Sequence, residues 1–385
     1  MPRSRSHRLA DLAQSDIRAM TRACNAVGGI NLGQGICDLP TPALVADGAV
    51  RAIRERQSTY SYSEGILPLR QAIATKLARD NGIQADPESE ILVTSGSAGA
   101  FACAIHGLLD PGDGILIPEP YYGYHVNAAI VAGLEVQTVV AEAPKFRLTA
   151  DLLRSGLRDN TRAVVVCTPS NPSGRMLTRE ELGDLAEVAR ERDLLVITDE
   201  IYEYIRYDGR EHISPATVED LAQRTVTIMG LSKTFSITGW RLGYAVAPAE
   251  MAQAMTLVHD LFYICAPTPL QHGVTAGFAA PPEFFRELRA DYAQKRELLC
   301  STLEQCGLPC VRPEGAYYVL ADVTGLGCRS AHEAAMQILE RCRVACIPGT
   351  AFYTGAEGER LVRLCFAKQH DELSEACDRL RSLKG

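Results

Sequence analysis

Ala163-Val164-Val165-Val166-Cys167-Thr168-Pro169-Ser170-Asn171-Pro172-Ser173-Gly174 opens the unit that fixes the architecture of this 385-residue chain. A run of branched apolar residues ends in a polar turn held by two prolines. A helical pattern from Arg179 to Arg192 follows, then a second apolar run, Leu194-Leu195-Val196-Ile197-Thr198, closed by Asp199. Strand, helix, strand in that order is a crossover unit. Apolar runs without alternation mean that both faces of each strand are covered. The rhythm recurs from Ile91-Leu92-Val93-Thr94, which precedes the helix-like Ala98 to Leu109, through Gly114-Ile115-Leu116-Ile117. Val226-Thr227-Ile228-Met229 and Gly243-Tyr244-Ala245-Val246 complete it. The prediction is an α/β fold, with a mostly parallel sheet of seven-stranded type between helices on both faces.

Composition shifts at Ala279-Ala280-Pro281-Pro282. A long charged helix from Glu283 to Gln305 follows, then a strand pattern at Gly315 to Leu320. The helix Ala331 to Arg341 and the strands Val344 to Ile347 and Leu361 to Phe366 end the chain. This predicts a smaller α+β domain at 281–385. Residues 41–280 would form the large domain, and 1–40 an arm and part of the small one.

In an open α/β sheet, ligands bind beyond the carboxyl ends of the strands. After Thr94 come Ser95-Gly96-Ser97-Ala98-Gly99, small residues opening a helix, where backbone N–H groups can approach an anion. After Ile117 come Tyr121, Tyr122 and Tyr124, rings able to stack on a flat heterocycle. The proline-fixed turn presents Asn171, and the next strand ends in Asp199, with Tyr202 three residues on. A carboxylate at a buried strand end is costly unless it meets a cation. The last turn is Leu231-Ser232-Lys233-Thr234-Phe235-Ser236-Ile237-Thr238-Gly239-Trp240-Arg241. Its lysine can condense with an aldehyde, and its arginine can clamp a phosphate. An aldehyde carrying a phosphate, with a ring nitrogen to meet Asp199, describes pyridoxal 5'-phosphate. Each feature alone also fits a plain turn, helix cap or close-packed helix start; all five at one sheet edge do not.

A net charge of −8 offers no footprint for nucleic acid or an anionic membrane surface, and no apolar run approaches spanning length. Arg3, Arg5, His7 and Arg8 have no apolar core behind them, and Asp11 and Asp16 come early, so a loose arm is expected rather than a secretory signal. The thirteen cysteines are odd in number, irregular in spacing and free of any C-x-x-C pair. They read as small buried hydrophobes of a cytoplasmic protein, with no metal site.

With these motifs the chain resembles the pyridoxal-phosphate aminotransferases of fold type I, class I/II, in the aspartate aminotransferase superfamily. The likeness runs in family order from Asn31-Leu32-Gly33-Gln34-Gly35 through Tyr60-Ser61-Tyr62-Ser63-Glu64-Gly65 and Asp199-Glu200-Ile201-Tyr202 to Val362-Arg363-Leu364-Cys365-Phe366-Ala367. It implies that Lys233 forms a Schiff base with the cofactor and shuttles the substrate Cα proton. Asp199 would pair with the pyridine nitrogen, Asn171 and Tyr202 would hold the phenolic oxygen, and Tyr122 would stack on the ring. Gly96, Ser97, Ala98, Ser232 and Arg241 would bind the phosphate. Many relatives carry a serine where this chain has Gly230. Tyr60 would reach the phosphate of a neighbouring subunit, giving a homodimer with shared active sites. Arg363, the Gly35 N–H and Asn171 would grip the substrate α-carboxylate. His125 fits either a partner of Asp199 or a core histidine.

The implied reaction moves an amino group from an L-amino acid to a 2-oxo acid. Between Leu242 and Phe285 there is neither Arg nor Lys, so a neutral or aromatic substrate side chain is expected. Arg18 or Arg22 of the arm could still meet a second carboxylate. The same constellation also suits lyases, decarboxylases or oxidases of amino acids. A non-catalytic regulator on this fold would need a DNA-binding domain ahead of it, for which the stretch before Asn31 is short.

Overall fold

The computed structural model describes residues 6–9, 12 and 16–384; Arg3, Arg5 and Asp11 of the predicted arm lie outside the described residues. The strands are β1 (Ile30–Asn31), β2 (Ile91–Thr94), β3 (Gly114–Glu119), β4 (Glu135–Val140), β5 (Thr161–Cys167), β6 (Leu195–Asp199), β7 (Thr225–Gly230) and β8 (Gly243–Val246). Then come β9 (Cys310–Val311), β10 (Tyr318–Asp322), β11 (Val344–Ala345), β12 (Ile347–Pro348) and β13 (Leu361–Cys365).

β2 to β8 form one sheet in the order β2-β8-β7-β6-β5-β3-β4. β4, β3, β5, β6 and β7 are parallel, and β8 alone is reversed, pairing antiparallel with both β7 and β2. The reversal follows from the connection. Residues 231–242 turn straight back without a crossover helix long enough to reach the far edge. Lys233 and Arg241 therefore stand at the same sheet edge as the carboxyl ends of β2, β3, β5 and β6.

Successive residues of a strand face opposite ways, and here both ways are buried. Ile115 and Ile117 pack with Phe101, Ala104 and Met255 on one side. Leu116, Val164 and Val166 pack with Leu182 and Leu185 on the other. The helix behind Leu182 and Leu185, Arg179–Glu191, opens with a capping box in which Thr178 and Glu181 satisfy each other's backbone N–H.

β4 was not legible as a strand. Its sequence Glu-Val-Gln-Thr-Val-Val mixes polar with apolar residues, as suits an edge, and lacks the continuous apolar run of its neighbours. The expected strand from Gly315 starts only at Tyr318, because Ala316 lies at φ 56° and Gly315 makes an isolated bridge with Arg206. The expected strand Val344 to Ile347 splits at Cys346: β11 pairs with β1, and β12 with β13.

β12-β13-β10-β9 make an antiparallel sheet. Met20, Cys24, Leu32 and Cys37 share its core with residues from Leu288 to Leu383. All thirteen cysteines are free thiols and none is exposed. Among the described residues no helix is long and apolar enough to cross a membrane.

Candidate active site

A cavity of about 430 Å³ lies at the sheet edge where the strand ends converge. It is lined by Gly35, Ser97, Ala98, Tyr122, Asn171, Asp199, Tyr202, Ser232, Lys233, Arg241 and Arg363. Of the predicted site residues, Gly96 stands just behind Ser97, and Tyr60 stands apart, 79% exposed. All the rest meet in one place.

Lys233 sits in the short helix Leu231–Thr234 that caps β7. Its Nζ donates to the Gly35 carbonyl at 3.0 Å and lies 5.6 Å from the centre of the Tyr317 ring. Burial pulls its pKa below the ordinary lysine value. A larger share of neutral amine, the form able to condense with an aldehyde, is therefore present near neutrality. No other lysine among the described residues lines the cavity.

Asp199, at the end of β6, holds its Oδ2 at 3.2 Å from His125 Nε2, while Oδ1 accepts from the Ile201 N–H at 3.3 Å. His125 thus proves to be a partner of Asp199. It is wedged against Phe101, ring centres 4.6 Å apart, and meets the Tyr122 ring edge-on at 5.3 Å. The Tyr122 ring also stacks on Tyr124 at 5.1 Å.

The helix Gly96–Leu108 opens without a side-chain cap, so its first N–H groups are free to meet an anion. Gly96 itself lies at φ +74°, and a Cβ there would stand 2.6 Å from Arg241 Nη2. Only glycine leaves room for that guanidinium at the helix mouth. Gly230 has an equally concrete cause: a Cβ there would lie 2.3 Å from Ile201 Cγ1. Ile201, which lines the cavity, occupies the space that a serine side chain would need.

Arg363 comes from β13 and is 1% exposed. Its guanidinium is sandwiched between Tyr318 and Phe352, 4.3 and 4.8 Å from the ring centres. Nη1 donates to Asn171 Oδ1 at 2.8 Å and Nη2 to the Gly33 carbonyl at 2.5 Å, while Nε has no partner. Because Asn171 accepts through its oxygen, its amide nitrogen is left to donate into the cavity. The Arg363 charge faces only neutral acceptors.

Tyr202 donates to the Tyr318 hydroxyl at 3.1 Å, and burial pushes the Tyr318 pKa up to about 12. Sequence reasoning treated Tyr317 and Tyr318 only as strand residues, and it missed Ile17, Gln34 and Ile36 as lining. The strand pattern places Tyr318 at the start of β10, but does not reveal that its side chain looks into a cavity.

A basic cup at a helix mouth, a carboxylate, a stacking ring and a buried amine together accept an aldehyde that carries a ring nitrogen and a phosphate. The residues fit pyridoxal 5'-phosphate. The family described as Aminotransferase class I and II matches residues 27–380. The chain is 34% identical over 382 residues to the Aromatic-amino-acid aminotransferase 2 of Thermococcus litoralis, covering 98% of this chain and 97% of that one. To the Aspartate aminotransferase of Pyrococcus abyssi it is 35% identical over 357 residues, 92% and 91% of the two chains. The solved structure of N-succinyldiaminopimelate aminotransferase from Mycobacterium tuberculosis superposes with a TM-score of 0.96 at 34% identity, covering 99% and 100%. The chain belongs to the class I and II aminotransferases and is a pyridoxal-phosphate-dependent transaminase.

Proposed function

We propose that this enzyme transfers the amino group of an L-amino acid with a neutral, apolar or aromatic side chain to a 2-oxo acid. One observation carries the reading: a buried guanidinium, Arg363, faces no carboxylate and shares a cavity with the buried amine of Lys233. A buried cation of that kind calls for an anion, and a substrate α-carboxylate supplies one.

Bound pyridoxal phosphate supplies an electron sink for the substrate Cα. The chain's own groups do the rest. Lys233 would hold the cofactor's aldehyde, and its amine would carry the proton at the substrate Cα. Asp199, braced by His125, would keep the ring nitrogen protonated. The Asn171 amide and the Tyr202 hydroxyl would hold the phenolic oxygen, and Tyr122 would cover the ring. The N–H groups at Gly96, Ser97 and Ala98, with Ser232 and Arg241, hold the phosphate. Arg363, the Gly35 N–H and Asn171 orient the α-carboxylate.

The lining supports the neutral side chain. Among the described residues its guanidiniums are Arg241 and Arg363, each with a task, while Ile17, Ile36, Phe101 and Tyr124 supply apolar surface. Arg18 and Arg22 are exposed on the helix Asp16–Ala26 and do not line the cavity. The relatives' names include both aromatic and aspartate specificities, so the lining is the better guide. Phenylalanine, leucine or methionine should exceed aspartate in kcat/KM by about tenfold or more, because a second carboxylate would be buried unpaired. Aspartate as the best donor would sink this reading.

The active unit in this reading is a homodimer. Tyr60, Leu261 (82% exposed) and Phe262 leave large apolar side chains in solvent, which a partner subunit would cover. Their segments are tied by Ser63 Oγ to Asp260 (2.7 Å) and Thr268 Oγ1 to the Thr59 carbonyl (2.7 Å). Tyr60 would cross to the partner's phosphate. Mixing Lys233→Ala with Tyr60→Ala chains should then restore about a quarter of wild-type activity, since half the dimers are hybrids with one intact site. Mixtures as inactive as their components would refute sharing.

The same reading places the enzyme in the cytoplasm, whose reducing conditions suit thirteen free thiols; a periplasmic or secreted fraction carrying the activity would refute it. It also divides the chain into a large unit, 41–280, and a smaller one at 281–385 that shares its core with the arm. Substrate-bound crystals should show the two moving as bodies.

A further inference from the structure

A second cavity, of about 530 Å³, opens where the chain beyond β6 meets the helix Pro282–Gln305. Tyr204, Arg206 and Glu211 come from the first, Phe285 and Arg289 from the second, and Arg79 and Asp80 from a neighbouring turn. Most of its charges are already matched. Asp80 accepts from Arg79 at 2.6 and 2.8 Å and from the Tyr204 hydroxyl at 2.5 Å. Glu203 accepts from the buried Lys76 and from Asn81. His212 meets Glu200 at 2.7 Å.

Two arginines are not matched. Arg206 donates to the Arg210 carbonyl at 2.5 Å and to no carboxylate. Arg289 makes no hydrogen bond or ion pair with any described residue; burial first, and then the charge of Arg206, hold its pKa below the ordinary value. Glu211 is exposed and forms no ion pair among the described residues. Two half-buried forks facing one cavity are costly on their own and match a doubly charged oxyanion. The stacked rings of Tyr204 and Phe285, 4.4 Å apart, add an apolar wall beside them.

We propose that this cavity is a binding site for a small phosphate-bearing anion, clamped between Arg206 and Arg289. The site is separate from the catalytic cavity and does not rest on the reaction proposed above. Arg206 lies on the segment leading away from Asp199. Arg289 lies one turn from Tyr292, whose hydroxyl meets Cys37 Sγ at 2.9 Å. A clamped anion would therefore tie the chain beyond β6 to the long helix.

The test is titration of the cofactor-loaded enzyme with inorganic phosphate, followed by calorimetry at low ionic strength. One saturable site per chain is expected, weakened about tenfold or more in Arg289→Ala and in Arg206→Ala. Arg289→Lys should fall between, since it keeps the charge but loses the fork. Both alanine variants should keep wild-type kcat in phosphate-free buffer, which also shows that they fold. Three results would overturn the proposal: no saturable binding, unchanged affinity in both variants, or displacement of phosphate by succinate at equal concentration. Loss of binding in Arg241→Ala alone would assign the ion to the catalytic cup and likewise reject this site.

Discussion

Lys233→Ala abolishes transamination, by about 10⁵- to 10⁶-fold in kcat, the scale of removing a nucleophile that also serves as base. No second lysine among the described residues lines the cavity to take over. The absorbance of the bound cofactor should shift to that of the free aldehyde. Turnover within tenfold of wild type would end the proposed mechanism. Removing the Lys233 amine has a second expected effect, on stability. Without cofactor the amine is buried and has one neutral carbonyl as its hydrogen-bond partner. Its pKa is lower in the fold than in the unfolded chain. Between those two values the unfolded chain binds more protons, so apoprotein stability rises with pH across that window. Lys233→Met should remove that part of the slope and raise the apoprotein Tm at neutral pH. Calorimetry of both apoproteins across pH checks the sign, and a wild-type apoprotein that weakens as pH rises through the window would contradict it.

Arg363→Lys should lower kcat/KM for amino and oxo acids by about 10²- to 10³-fold, chiefly through KM, with the cofactor spectrum unchanged. The guanidinium is flat enough to lie between Tyr318 and Phe352, and it spends Nη1 and Nη2 on Asn171 and Gly33. An ammonium has neither the plane nor the fork. A primary amine lacking the carboxylate separates this role from a structural one, because its slow reaction should be the same in both enzymes. Equal losses for acid and amine would mean that Arg363 only braces Asn171.

The continuous apolar runs of β5 and β6 were legible because both faces of the sheet are covered. β4 was hidden for the opposite reason, its edge position allowing polar residues between the apolar ones. β11 and β12, two residues each, carry too little periodicity to reveal a break at Cys346. In the site, residues at strand ends were readable, since topology alone brings those ends together. Tyr318 and Gln34 were not, because their place depends on how the antiparallel sheet and the arm lie over the large one. That Gly230 stands where many relatives carry a serine was legible, but its cause, Ile201 in the space of that side chain, lies in the packing beyond β6 and β7.

The arm is closed onto the far end of the chain. Ile30 pairs with Val344, Leu32 accepts from the Cys365 N–H at 2.6 Å, and Gly33 accepts from Arg363. On the ribosome, residues that emerge first must wait for partners more than three hundred positions later. The β2–β8 sheet can form meanwhile, but the Gly33–Gly35 wall of the cavity cannot. These contacts span most of the chain, so loop-closure entropy places them late in folding. Capture of the cofactor with substrate affinity intact would then report that synthesis has passed Cys365, and a nascent chain stalled before Val344 would expose an unfinished wall.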